Sequence, residues 1–95
     1  MGGFEAAWAL AAWLKGLTGQ EGSEPVIRGI AHRLADMYRA ADDVTRNRIE
    51  TGAVEHMLES PALRPYFEFW ATDPVLKQAH EECLAWGVAH EGGQW

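Results

Sequence analysis

Residues 23–41 of the chain, Ser23 to Ala41, read SEPVIRGIAHRLADMYRAA. Ile27, Ile30, Leu34, Met37, Tyr38 and Ala41 recur at the i, i+3, i+4, i+7 spacing that lines one face of an α-helix. Arg28, His32, Asp36 and Arg39 fall on the other face, so the basic side chains mix with an acid and face water. Ser23 is placed to cap this helix, and Pro25 sits in its first turn, where a missing N–H costs nothing. The stretch is an amphipathic helix, and its period sets the reading of everything around it.

Upstream, Phe4 to Leu17 is rich in Ala and Leu and holds no β-branched residue, so it reads as a helix. It is apolar nearly all round: Phe4, Trp8, Ala11 and Lys15 follow one row, and Leu10, Trp13, Leu14 and Leu17 another. Such a helix is either deeply buried or covered by a second chain. Gly16, Gly19 and Gly22 punctuate a polar loop before the amphipathic helix begins.

Downstream, Asp42 and Asp43 either start a third helix or sit within a continuing one. Gly52 marks a break, and 53–59 reads as a short helix with Val54, Met57 and Leu58 inward. Ser60-Pro61 is a second cap-plus-proline start, and Pro65 steers Arg64 away from helical angles. Tyr66, Phe67, Phe69 and Trp70 then form a dense aromatic cluster on a short helix. Thr72-Asp73-Pro74 opens a last helix to about Ala89, with Val75, Leu76, Ala79, Cys83 and Trp86 inward. No strand-like alternation or hairpin dipeptide occurs. The expectation is an all-α bundle of four to six helices, one domain over residues 1–91, with 92–95 as a frayed tail.

Ninety-five residues suffice for one core, and size scaling gives a folded surface of about 5,400 Å². Net charge is −6, unevenly spread. Residues 28–48 carry five arginines against three aspartates, whereas residues 49–95 carry Arg64 and Lys77 against eight carboxylates. The acidic second half argues against direct nucleic-acid binding, which depends on neutralising phosphates. A single cysteine, Cys83, excludes an internal disulfide and fits a reducing cytoplasm. The apolar run from Phe4 to Leu14 is 11 residues with Glu5 inside it, against about 20 for a membrane span. It also lacks the basic flank of a secretory leader. A cytoplasmic protein without a membrane partner is expected.

Motifs for chemistry are sparse. His80-x-x-Cys83 with His90 could offer three metal ligands, but Cys83 falls between Ala79 and Trp86 on an apolar face and reads as core. His56 and Glu59 stand one turn apart, which a solvated helix face explains without a metal. There is no phosphate-binding loop and no nucleophile elbow. The expectation is a non-enzyme with no metal or cofactor.

Five tryptophans are the strongest functional signal. Trp70 and Trp86 fall on inward faces. Trp8 and Trp13 lie about 140° apart around the first helix, so one core can hardly take both, and one of them is expected at the surface. Indoles dominate binding hot spots. The candidate partner-binding residues are therefore Trp8 and Trp13 for affinity, with Glu55, Glu59, Glu68, Glu81 and Glu82 steering a basic partner.

The stretch TGAVEHMLE, Thr51 to Glu59, with the aromatic cluster and the helix begun at Asp73-Pro74, resembles small all-helical bacterial families of toxin-immunity type. Those families show a Gly-x-Leu-Glu-x-Leu-Leu step; here Val54 replaces the leucine, and the likeness covers about residues 51–86. The resemblance implies a helical partner-binder and nominates no catalytic residue. The functional expectation is a small acidic inhibitor that occludes a larger protein or ribonucleoprotein, either an immunity protein or a phage anti-defence protein such as an anti-CRISPR. The alternative is a homo-oligomeric scaffold, dimerised through the first helix.

Overall fold

The computed structural model describes residues 3–90, and the side chains of residues 7–90. It contains α1 (Gly3–Leu17), α2 (Glu24–Ala40), α3 (Asp43–Ile49), α4 (Glu55–Met57) and α5 (Lys77–Ala89). A π-helical segment, Glu50–Val54, joins α3 to α4, and a 3-10 helix, Arg64–Thr72, lies between α4 and α5. There is no strand among the described residues, and the fold is an all-α single domain. Its accessible surface is 5492 Å², close to the size-scaling value. The expected tail at 92–95 and the side chain of Phe4 lie outside the described residues.

The π-helical segment is the hub. It packs against α1, α3, α4 and α5, while α2 packs on α3 and on the 3-10 helix. The Glu55 N–H donates to the Glu50 carbonyl, five residues back rather than four. That wider turn changes the phase of every side chain after it. Ala53, Val54, Met57 and Leu58 enter the core here, together with Ala11 and Leu14 of α1. Trp70 is fully buried between Tyr38 and Phe67, with ring centroids 5.9 and 5.7 Å away.

Caps follow local chemistry, with one exception. Asp42 starts a separate α3 by accepting the Thr45 N–H, which decides between the two alternatives at Asp42-Asp43. Asp73 accepts the N–H groups of Val75 and Leu76, and α5 proper begins at Lys77 instead of Pro74. Arg46 closes the end of α2 by donating to the carbonyls of Tyr38 and Arg39. Ser23 does not cap α2. Its hydroxyl turns back to the carbonyls of Leu17 and Gln20, stitching the end of α1 to a loop that turns at Gly19 and Gly22, both at positive φ.

Two expected core positions are corrected. Val75 faces water because it falls in the capping turn that precedes α5. Met37 is half exposed at the edge of α2, where it borders a groove shared with α1 and α3.

Candidate functional site

The buried stripe of α1 runs through Ala11 and Leu14, with Ala7, Leu10 and Leu17 partly buried beside it. Trp8 and Trp13 flank that stripe on opposite sides, each roughly 100–120° from its centre at 100° per residue. Both indoles are therefore half in water, Trp8 at 42% and Trp13 at 52% exposure. The spacing predicts one at the surface; the helix geometry leaves both there. Ala9, Ala12 and Gly16 complete an exposed, uncharged face around Trp13.

Under Trp8 lies a buried polar cluster. The Trp8 ring stands edge-on to His56, at 5.9 Å and 89°. His56 Nδ1 is 3.1 Å from Glu59 Oε2. Lys15 Nζ donates to Glu59 Oε1 at 3.0 Å, and Trp86 Nε1 donates to Oε2 at 3.4 Å. Trp86 in turn stacks on His90 at 3.7 Å, and His90 Nδ1 lies 2.9 Å from the Trp86 carbonyl. The cluster thus ties α1, the α4 turn and α5 to one carboxylate.

Glu59 is only 1% exposed. This overturns its assignment as a steering carboxylate, because its charge is already neutralised by Lys15 and shielded from solvent. It also overturns the reading of His56 and Glu59 as a solvated face: both are buried. The reason is that this segment is covered on more than one side: α1 reaches it through Trp8 and Lys15, and α5 through Trp86.

Gly87 sets the geometry on the α5 side. A Cβ there would stand 2.4 Å from the Leu58 carbonyl oxygen, so only glycine lets α5 approach this closely. That contact holds Trp86 against Glu59. Lys15, His56 and Gly87 carry no sequence signal of membership in a site, since each acts through a residue far along the chain or across a backbone contact.

The remaining carboxylates divide into two places. Glu55 is half buried, and burial followed by the nearby Glu50 charge raises its pKa above the usual carboxylate value. Glu59 and Glu82 also act on it, so Glu50, Glu55 and Glu82 make an acidic border beside the cluster. Glu68 and Glu81 are exposed and instead act on His80, whose pKa is lowered chiefly by burial. The five nominated carboxylates therefore do not form one patch.

Cys83 is buried, and its Sγ lies 3.8 Å from the Glu50 carbonyl. Burial and then Glu50 push the thiol well above its ordinary range, which disfavours a thiolate nucleophile or ligand. Among the described residues no group of three or more His, Cys, Asp or Glu side chains is arranged to hold a metal ion. No described helix is long and apolar enough to cross a membrane. No protein-family model, curated protein or solved structure matches the chain.

Proposed function

We propose that this chain is a cytoplasmic protein-binding domain that inhibits a larger protein or ribonucleoprotein by covering part of it. The outer face of α1 is the docking surface. The observation that carries this reading is the paired exposure of Trp8 and Trp13 on a helix whose buried stripe is already complete. Large indoles left in water are favoured hot-spot residues when a partner dries them.

The polar cluster supports the same reading. Trp8 rests on His56, which is fixed by Glu59, which is fixed by Lys15. An anchor held before binding loses little side-chain freedom when it docks, so more of its contact energy appears as affinity. Glu55 and Glu82 add negative charge beside the cluster, suited to a partner with a basic rim.

A second reading is favoured by one observation. Ala9, Ala12 and Gly16 are small and exposed around Trp13, which lets a second helix approach closely. The partner would then be another copy of the chain, packed α1 to α1. Size-exclusion chromatography with light scattering separates the two: the inhibitor reading expects a monomer near 10.5 kDa that captures a foreign protein from its native cell. A stable dimer with nothing else retained would replace it by the self-assembly reading.

A further inference from the structure

Between α1, α2 and α3 lies an open groove of about 240 Å³ that neither Trp8 nor Trp13 lines. Its floor is Leu34, Ile49 and Ala53, all buried core side chains. Its walls are Ala7, Leu10 and the half-exposed Met37. The groove exists because small residues line it, Ala7 on α1 and Ala53 on the π-helical segment, where larger side chains would have closed it. A volume of 240 Å³ falls below the range of roughly 300–1,000 Å³ usual for drug-sized ligands. It exceeds the roughly 150 Å³ of an apolar cavity that holds a benzene ring, so a slender chain of about eight to ten carbons fits. Methionine walls adapt to such chains, because the thioether side chain is unbranched and rotates freely.

Among the described residues that line the groove, Arg48 is the cation. It is exposed and makes no hydrogen bond or ion pair with another described residue. Its neighbours along the chain are committed elsewhere: Arg46 closes α2, and Arg39 pairs with Asp36 and Asp73. Thr45, also at the mouth, is turned toward Asp42, which it holds by backbone and side chain. Asp42 feels the Arg48 charge only through space. A greasy slot bordered by an exposed arginine complements a linear amphiphile with an anionic end.

We infer that this groove binds a free medium-chain monocarboxylate, with the alkyl chain along Leu34, Ile49 and Ala53 and the carboxylate at Arg48. This site is separate from the docking face proposed above, and either can fail without the other. The test is a ¹⁵N-resolved NMR titration of the whole chain with decanoate, below its micelle threshold, beside decanol and decyltrimethylammonium. The expected result is saturable shifts at Ala7, Leu34, Met37, Ile49 and Ala53 with decanoate. Decanol should bind about ten-fold more weakly, and the cationic amphiphile more weakly still. Arg48→Gln, a surface change that leaves the core intact, should reduce decanoate affinity to that of decanol. Ala7→Phe, checked for native helix content by circular dichroism, should abolish the shifts by filling the groove. Absence of saturable shifts would overturn the inference. So would shifts centred elsewhere, or equal binding of all three probes that Arg48→Gln leaves unchanged.

Discussion

Lys15 Nζ and Glu59 Oε1, 44 positions apart in the chain, meet at 3.0 Å, and the carboxylate of the pair is almost completely withdrawn from water. The pair joins α1 to the turn after α4. The lysine side chain stays 23% exposed, so the charge that must be desolvated is chiefly that of Glu59. A buried carboxylate of this kind persists only when its oxygens are filled, here by Lys15, His56 and Trp86.

Removing the acid takes from Lys15, His56 and Trp86 the acceptor they share. Glu59→Ala should destabilise the fold by about 3 kcal/mol, the low end for breaking a buried pair, because Lys15 can still reach water. For a domain of this size that corresponds to a melting temperature roughly 12–24 °C lower. Calorimetry checks it. An unchanged melting temperature would mean that the cluster contributes nothing to holding α1.

Two glycines should respond in opposite directions. Gly87→Ala pushes a methyl into the Leu58 carbonyl, and backbone has no rotamer by which to yield. A loss of about 1–3 kcal/mol is expected, with a shift in the emission of Trp86 as it leaves Glu59. Gly29 lies in α2, and a methyl added there would meet nothing within 4 Å, so Gly29→Ala should stabilise. The gain expected there is about 0.5–1 kcal/mol. Urea midpoints for the two variants provide the check.

Alkali should weaken the fold. Cys83 and Tyr38 both have raised folded-state pKa values: burial is the first cause in each, with Glu50 next for both. The native state therefore holds protons that the unfolded chain gives up above its ordinary 9.0 for the thiol and 10.0 for the phenol. Their contribution is complete below pH 9 and is lost as pH rises beyond it. His80 works at the other end. Its pKa is lowered by burial from 6.5, so the unfolded state binds the proton first and stability falls as pH drops below that value. Unfolding midpoints at about pH 5, 7 and 10 should be highest near pH 7, and His80→Gln should flatten the acid side.

Cys83 should also resist alkylation in the native state. A buried thiol held above its ordinary pKa presents little thiolate to a reagent. Iodoacetamide at about pH 8 is expected to label the protein only on the timescale of unfolding, with full labelling in urea. Rapid native labelling would contradict the placement of Cys83 in the core.

The helices are legible in the sequence where one face alternates with another. Residues 27–38 announce α2 by spacing, and Asp73 announces a helix start by chemistry, whereas Asp42 leaves two alternatives that only its bond to the Thr45 N–H decides. The site is legible only on α1, where Trp8 and Trp13 stand too far apart around the axis for one core to enclose. Spacing alone puts Glu59 and His56 on a solvated face because it does not show that α1 and α5 cover the side opposite Val54, Met57 and Leu58. Ser23 departs from its expected cap because its backbone is helical instead of extended, Pro25 has no N–H to offer, and its hydroxyl has two carbonyls within reach behind it. Gly87 carries no pattern at all; its role lies in a backbone contact with Leu58 that only the folded chain brings about.

The docking face proposed on α1 depends on Trp8 and Trp13 meeting a partner. Its most direct test is the affinity of the captured partner for the wild-type chain and for Trp8→Ala and Trp13→Ala, each at low and high salt. Each variant should remain folded and lose more than about 1 kcal/mol of affinity, roughly five-fold, and the wild-type complex should weaken as salt rises. A partner held equally well by both variants at every salt concentration would contradict the claim.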